Sequence, residues 1–288
     1  MGRGQWLKNP RPTLGLAALL SCTRPTGAPA SANTPTPTVA GVTADEGGNT
    51  SSGKAGGVAS CGGRPSVQFV YFVEADARFS QEQYDAIESA ALHFQAYWDS
   101  QLGATFLLAD PLVAVVEGDH AGQWYVDTPD GIHDDPRWYR LGNIKAEVYD
   151  KLGFDDFDPL HRVVNHPTSR HDGRVGANFG GAWMDGDDLG CLYGEYGGVN
   201  FPFDEQGPAH CIGHVAHEFG HILGLEHSGP VTDCMQLGFY NGTGGDGMCS
   251  FSADNVAQIL RHRGNAGWLD AEPGDRCVGV PEPQPASR

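Results

Sequence analysis

One stretch, H-E-F-G-H-I-L-G-L-E-H from His217 to His227, constrains this chain more than any other. On a helix, residues four apart lie on one face, so His217 and His221 can direct their imidazoles at a single ion. Glu218 lies about 100° farther round, within reach of a water on that ion without being a ligand. If the helix continued, it would carry His227 about 9 Å beyond His221 along its axis. Gly224 can instead end the helix in a left-handed conformation and turn the chain back, so that His227 supplies a third nitrogen.

Three neutral imidazoles leave the fourth position of a tetrahedral Zn²⁺ ion open to water, which is the pattern of a catalytic site rather than a structural one. The sequence therefore predicts one catalytic Zn²⁺ ion held by His217, His221 and His227. Glu218 is the predicted general base and acid. His210 and His214 precede the motif on the same helix, and we expect them to be surface groups or to support the ligands rather than to bind the metal.

The stretch resembles the zinc signature of the metzincin metalloproteases, and the run V-A-H-E-F-G-H-I-L-G-L-E-H-S beginning at Val215 is most similar to the matrixin form of it. The resemblance implies an α+β fold, with a twisted mixed β-sheet, an active-site helix, a C-terminal helix and a zinc cleft between an upper and a lower subdomain. It implies a zinc-dependent endopeptidase that acts on protein or peptide substrates.

Metzincins place a methionine in a tight turn beneath the zinc ion, and Met235, eight residues beyond His227, matches the matrixin interval. Met248 is the alternative, and because a comparable Cys and Met precede the last helix in pappalysins, that branch stays open. Tyr240 either reaches the site as a transition-state donor, as a tyrosine after the methionine does in astacins, or contributes only to packing.

The patterns ahead of the motif predict a strand, a long helix and further strands, the order of the metzincin upper subdomain. Val67–Val73 is typical of a strand buried on both faces. Ser80 and Gln83 form a capping box for a helix that ends at Gly103. Two strands are expected on either side of Asp110-Pro111, and a last helix begins after Ser252. A further helix over Trp138–Leu152 is an insertion relative to the short metzincin plan.

A Gly-rich segment, G-A-N-F-G-G-A-W from Gly176 to Trp183, is predicted to be one edge strand beside the cleft. In metzincins such a strand pairs through its backbone with extended substrate, and small residues would allow a peptide to approach closely. The predicted substrate-edge residues are Ala177, Asn178, Phe179, Gly180 and Gly181.

The N-terminal residues predict export. A short apolar run from Leu14 to Leu20 is too short to span a bilayer but fits a signal peptide, and Leu19-Leu20-Ser21-Cys22 resembles a bacterial lipobox. We expect cleavage before Cys22 and its lipidation, as a membrane tether in the cell envelope; ordinary secretion after Ala30 is the alternative. The predicted organisation is a signal peptide over 1–22, a flexible tether over 23–60, a catalytic domain over 61–270 and a tail over 271–288.

Removal of Cys22 leaves six cysteines, an even number that favours three disulfides in an exported chain. Sequence alone allows fifteen pairings. Proximity around the zinc helix favours Cys191–Cys211, Cys234–Cys249 and Cys61–Cys277. Cys61 could instead act as a latency switch, although that would leave an odd number of cysteines for pairing.

Acidic residues outnumber basic ones 36 to 18, for a formal charge of −18, which argues against nucleic-acid binding. The acidic clusters could hold Ca²⁺ or be solvated turns; they are Asp155, Asp156 and Asp158, then Asp185, Asp187 and Asp188. There are two alternatives for His166, His171 and Asp172: they form a second, structural zinc site, or the histidines are exposed in loops. We expect a monomer. The rival hypotheses are a non-catalytic zinc-containing surface lipoprotein that binds a partner, and a zinc hydrolase of non-peptide substrates.

Overall fold

The structure is a computed structural model, and it describes residues 20–22, 61–155, 158–170, 175–178, 180–192, 208–230, 233–236, 249–262 and 267–277. Within these residues a mixed β-sheet lies among helices, in agreement with the predicted α+β class at this level.

The sheet has six strands in the order β1-β5-β6-β4-β2-β3. Their bounds are β1 Leu20–Cys22, β2 Ser66–Val73, β3 Leu108–Glu117, β4 His161–Pro167, β5 Val175–Asn178 and β6 Gly181–Trp183. Strand β2 pairs in parallel with β3 and β4, and β4 pairs in parallel with β6. Strand β5 is antiparallel to β6 on one side and to β1 on the other.

Six α-helices and one 3₁₀ turn accompany the sheet in the described residues. Their bounds are α1 Gln81–Leu102, α2 Gly122–Asp127, the 3₁₀ turn Pro136–Trp138, α3 Tyr139–Leu152, α4 Gly186–Leu192, α5 Pro208–Ile222 and α6 Ala253–Arg261. Helix α5 carries the first two histidines of the motif and contacts α1, α4, β5 and β6.

Every residue of β2 is buried, as its continuous apolar sequence predicts. Phe69 and Tyr71 point into one core cluster, which includes the apolar side of α1 and of α5. Val70 and Phe72 point into a second cluster on the other face, which α3 covers. The insertion helix predicted near 138–152 therefore closes the second face of the sheet.

Helix α1 begins and ends where its sequence predicts. The Ser80 side chain accepts a hydrogen bond from the Gln83 backbone N–H, and Gly103 ends the helix with φ 64°. The reciprocal half of the capping box differs from the prediction, because the Gln83 side chain binds the Tyr71 hydroxyl. That hydroxyl accepts the Ser80 N–H at 3.2 Å, so a tyrosine from β2 joins the helix start to the sheet.

One predicted strand boundary is wrong. The two strands expected around Asp110-Pro111 are one strand, β3, which absorbs the irregular dipeptide through a shift in register against β2. Backbone hydrogen bonds continue into the segment predicted as a tail, because the N–H of Ala271 donates to the Thr105 carbonyl and that of Cys277 donates to the Leu108 carbonyl.

Two of the predicted disulfides are confirmed, Cys61–Cys277 and Cys234–Cys249. Cys191 is also disulfide-bonded, while the side chain of Cys211, its predicted partner, lies outside the described residues. Across the described part of the chain, no helix combines the length and the apolar character needed to cross a membrane.

Candidate metal centre

The zinc-motif helix α5 has one apolar side and one histidine side. Phe219 is fully buried and packs edge-on against Phe94 and Trp98 of α1 at ring-centroid distances of 5.3 and 5.5 Å. His217 and His221 lie four residues apart on the other side, with their ring centroids 4.9 Å from each other. Burial of the apolar side fixes which side of α5 carries the imidazoles.

The end of α5 has the geometry that the glycine predicts. The N–H of Leu225 donates to the Gly220 carbonyl at 3.0 Å, and the N–H of Gly224 donates to the His221 carbonyl at 3.0 Å. This pair of bonds is a Schellman motif, and Gly224 takes its left-handed position with φ 89°. The chain turns back at this point and brings His227 beneath α5.

The three predicted ligands converge on one point. The Nε2 atom of His227 lies 3.2 Å from Nε2 of His217 and 3.2 Å from Nε2 of His221. In a tetrahedral site with Zn–N bonds of about 2.0–2.1 Å, two ligand nitrogens are about 3.3 Å apart. The spacing of these nitrogens therefore fits a zinc ion. Among the described residues, this trio forms the group of side chains that could hold a metal ion.

Backbone carbonyls orient two of the imidazoles from behind. The Nδ1 atom of His217 is hydrogen-bonded to the Cys234 carbonyl, and Nδ1 of His221 to the Leu225 carbonyl at 2.8 Å. A carbonyl only accepts, so each Nδ1 carries the proton and each Nε2 keeps its lone pair for a metal.

The protonation equilibria of these histidines also suit metal binding. Burial, together with the neighbouring His221, lowers the pKa of His217 to about 3. Burial likewise lowers the pKa of His221 to about 4, and it lowers the pKa of His227. The imidazoles are therefore neutral near pH 7, which is the form that binds a metal.

Glu218 follows His217 directly, and its side chain is fully buried. Because successive helix residues are rotated by about 100°, its carboxylate is offset from the ligand stripe. The other glutamate of the motif, Glu226, is exposed. The two glutamates of the motif thus differ in environment, and only Glu218 combines burial with a place beside the ligands.

Met235 lies in a turn against the zinc helix. It is fully buried, and a Cβ atom added at Gly220 would come within 2.4 Å of its sulfur. Gly220 lies between His217 and His221, so the thioether packs under the helix where the two ligands project. The preceding residue, Cys234, supplies the carbonyl that holds His217. These contacts put Met235 beside the zinc helix, and its role as the Met-turn residue stays a prediction.

Asp233 organises this turn, a role that the sequence analysis missed. It is 1% exposed and accepts hydrogen bonds from the N–H groups of Met235 and Ser252 at 2.7 and 2.8 Å and from the Asn255 amide at 3.0 Å. It thus joins the Met235 turn to the start of α6. An acidic residue two positions before a turn methionine is a signal that could have identified it.

The predicted single edge strand is wrong, because its glycines form a hairpin. Ala177 and Asn178 belong to β5, Gly180 lies in the turn, and Gly181 pairs within β6 in the interior of the sheet. A Cβ at Gly181 would lie 2.6 Å from the Trp183 ring, so glycine is needed there for packing. Phe179 lies outside the described residues.

The outer edge of β5 is paired with β1, where Leu20 is opposite Ala177 and Cys22 is opposite Val175. A strand can therefore add to β5 in the antiparallel direction. Helix α5 contacts β5 and β6, so this edge is next to the histidine helix.

The structure does not support calcium binding by the acidic clusters. Asp185 and Asp188 accept hydrogen bonds from backbone N–H groups at the start of α4. Asp158 accepts a hydrogen bond from the Leu160 N–H and pairs with His161. His166 is fully buried rather than exposed in a loop. Five residues lie outside the described part: Asp156, His171, Asp172, Tyr240 and Met248.

Comparisons with known proteins give limited similarity. No family model and no curated protein sequence matches the chain. OgpA from Akkermansia muciniphila superimposes with a TM-score of 0.46 at 13% identity, over 73% of this chain and 63% of OgpA. Catalytically inactive OgpA in complex with an O-glycopeptide substrate, glycodrosocin, gives a TM-score of 0.45 at 12% identity over the same shares, 73% and 63%. Archaemetzincin from Methanopyrus kandleri gives 0.36 at 15% identity, over 70% and 96%. The chain spans less than two thirds of the length of OgpA.

Proposed function

We propose that this chain is a zinc-dependent endopeptidase. One observation carries the proposal. The Nε2 atom of His227 lies 3.2 Å from Nε2 of both His217 and His221, and the helix that supplies those two histidines places the buried Glu218 beside them. A purely structural zinc site has no use for a carboxylate beside three imidazole ligands, because such sites are usually closed by a fourth protein ligand.

His217, His221 and His227 would hold the ion. When bound, zinc supplies Lewis-acid chemistry, polarising a water molecule and the carbonyl of the bond to be cleaved. Glu218 accepts the proton from the attacking water and delivers it to the leaving amide nitrogen. Burial of Glu218 keeps competing solvent away from the carboxylate during this transfer.

The substrate would be an extended peptide. Strand β5 supports this proposal, because its outer edge accepts an antiparallel strand and its helix neighbour carries two metal ligands. Main-chain pairing of this kind binds peptides with little dependence on their side chains. We place the cleft between the sheet and the part of the chain that contains Met235.

The finer assignment is a metzincin-like enzyme of the matrixin style, supported by the spacing from His227 to Met235 and by the position of Met235 under α5. Export with lipidation of Cys22 is part of the proposal and rests on the N-terminal sequence. Cleavage before Cys22 would remove Leu20 and Ser21 from β5 and open most of the edge that β1 covers.

Cleavage of a mixed peptide library by the purified, zinc-loaded chain, analysed by mass spectrometry, tests the proposal. We expect cuts that disappear on chelation and in Glu218→Ala. The Glu218→Ala protein should still bind one zinc ion, since Glu218 is not a ligand. Glu226→Ala is the matched control, because this exposed glutamate of the same motif should be dispensable.

The outcome separates the proposal from its rivals. Cuts that persist in Glu218→Ala would remove the assigned role of that residue. A chain that holds one zinc ion and cuts no peptide would favour the non-catalytic, partner-binding surface lipoprotein.

A further inference from the structure

A line of buried polar side chains runs from the insertion helix to the zinc helix. Its members are Arg140 on α3, Asp185 and Asp188 at the start of α4, and His214 on α5, each less than 10% exposed. None of them belongs to the metal ligands. Buried charged groups are rare unless they are paired, so their connections are informative.

His214 and Asp188 form the link to the zinc helix. Nδ1 of His214 lies 2.7 Å from Oδ1 of Asp188. His214 precedes His217 by three residues and Glu218 by four, so it lies on the side of α5 that carries the metal site. The bond therefore joins α4 to the functional side of α5, one turn before the first ligand.

The second carboxylate oxygen of Asp188 is also hydrogen-bonded. Oδ2 of Asp188 accepts the Asp185 N–H at 3.2 Å, while the Asp185 side chain accepts the Asp187 N–H at 3.0 Å. These two bonds form a reciprocal capping arrangement at the first turn of α4. The carboxylate that meets His214 consequently cannot rotate without breaking the start of its own helix.

Arg140 anchors this helix start to the rest of the fold. Its Nη1 donates to Asp185 at 2.9 Å, and its Nη2 donates to the Ser169 carbonyl at 2.7 Å. Gly186 approaches the same carbonyl so closely that an added Cβ would lie 2.3 Å from it. Helix α4 is thus held against the end of β4, and the insertion helix supplies the cation.

The surroundings of Asp188 favour its ionised form. Burial alone would raise the pKa of Asp188, but the hydrogen bond and charge of His214, together with the Asp185 N–H and the charge of His166, lower that pKa. Loss of the imidazole would leave a buried carboxylate without its partner on this oxygen, which is costly.

The apolar side of α5 restricts the rotation of this helix about its own axis less tightly than a hydrogen bond does. Its contacts with the core are apolar and non-directional, and aromatic neighbours such as Phe94 and Phe106 tolerate small rotations better than a 2.7 Å hydrogen bond does. A directional bond one turn before His217 limits that rotation.

We propose that His214 and Asp188 are positioning residues, which fix the rotation of α5 so that His217, His221 and Glu218 meet one metal ion, with Arg140 as the anchor of α4. This inference rests on the proposed function for its kinetic part only, because metal affinity and metal geometry are measured without a peptide.

The test compares His214→Asn with His214→Gln in the full chain. The Asn amide nitrogen stands about where Nδ1 stood and can restore the bond to Asp188, whereas the Gln amide reaches farther and cannot. Asn also has the lower helix propensity, so helix stability alone would favour the Gln variant. His161→Gln is the control, because His161 forms a similar pair with Asp158, at 2.9 Å, outside the zinc helix.

Three readouts apply to each variant: Zn²⁺ affinity by competition with a chromophoric chelator, the visible absorption of the Co²⁺-substituted protein, and kcat and KM for one peptide taken from the library. We expect His214→Gln to lose about 10-fold or more in Zn²⁺ affinity or kcat, with an altered Co²⁺ spectrum and little change in KM. His214→Asn should recover most of this loss, and His161→Gln should match the wild type.

Equal Zn²⁺ affinity, Co²⁺ spectrum and kcat in His214→Gln and the wild type would overturn the inference, as would equal losses in the Gln and Asn variants. If His214→Gln does not fold, Arg140→Lys tests the line one link farther away and should show a smaller change in the same direction; an unchanged Co²⁺ spectrum there would overturn it. If no protein cuts a peptide, the proposed function fails, while the Zn²⁺ and Co²⁺ readouts still decide the positioning role.

Discussion

His166 makes the folded protein sensitive to acid in a way that one substitution should remove. Its side chain on β4 is fully buried and stacks on Phe69 at a ring-centroid distance of 6.4 Å and an interplanar angle of 14°. Neither of its ring nitrogens has a hydrogen-bond partner among the described residues. Burial lowers the pKa of His166 from its ordinary 6.5 to about 4, despite the opposing charge of Asp188.

The sign of the effect follows from proton uptake. Between pH 6.5 and pH 4 the unfolded chain protonates this imidazole and the folded chain does not, so acid favours the unfolded state. The contribution of the neutral His166 imidazole to the free energy of unfolding is fully present above pH 6.5 and is lost as the pH falls to about 4. A difference of about 2.5 between the two pKa values corresponds to about 3 kcal/mol.

The perturbation is His166→Phe, which keeps an aromatic ring against Phe69 and removes the titration. The assay is urea unfolding at several pH values from 7.5 to 4, with chelator present and disulfides intact. The wild type should lose about 3 kcal/mol more than the variant over this range. The metal-site histidines titrate in both proteins, so their contribution cancels in the difference. Parallel stability curves for the two proteins would refute the reasoning.

Other parts of the site give further predictions. Gly220→Ala should lower the free energy of unfolding by about 1–3 kcal/mol, because its Cβ would meet the Met235 sulfur; urea unfolding measures this, and Met235→Ala should recover part of the loss. Replacing Cys234 and Cys249 together by serine opens a loop with a sequence separation of 15 and should cost about 3 kcal/mol; an unchanged Tm would contradict this. Gly224→Ala should weaken Zn²⁺ binding in a chelator competition, since alanine disfavours φ 89° at the turn that brings in the third imidazole; wild-type affinity would show that the turn tolerates a side chain.

Much of the metal centre was predictable because it depends on local geometry. The spacing of His217 and His221 on one helix and the left-handed turn at Gly224 require no knowledge of the rest of the fold. The strand Ser66–Val73 and the helix bounded by Ser80 and Gly103 were predictable for the same reason.

The tertiary contacts of the site were not predictable from spacing. The bond between His214 and Asp188 joins residues 26 positions apart, and its existence depends on how α4 docks on α5. The sequence predicts one strand where Gly180 and Gly181 form a hairpin, because glycine is compatible both with an edge strand and with a turn. The need for glycine beside Trp183 appears only when the ring is placed.

Titration of zinc into the metal-free chain, followed by cleavage of one peptide from the library, tests the central claim most directly. We predict that cleavage is absent without zinc, rises in proportion to added zinc and saturates at one ion per chain. His227→Ala should shift this titration to higher zinc, because it removes one of three ligands. Saturation of the site with no cleavage, or cleavage that is independent of zinc, would contradict the account.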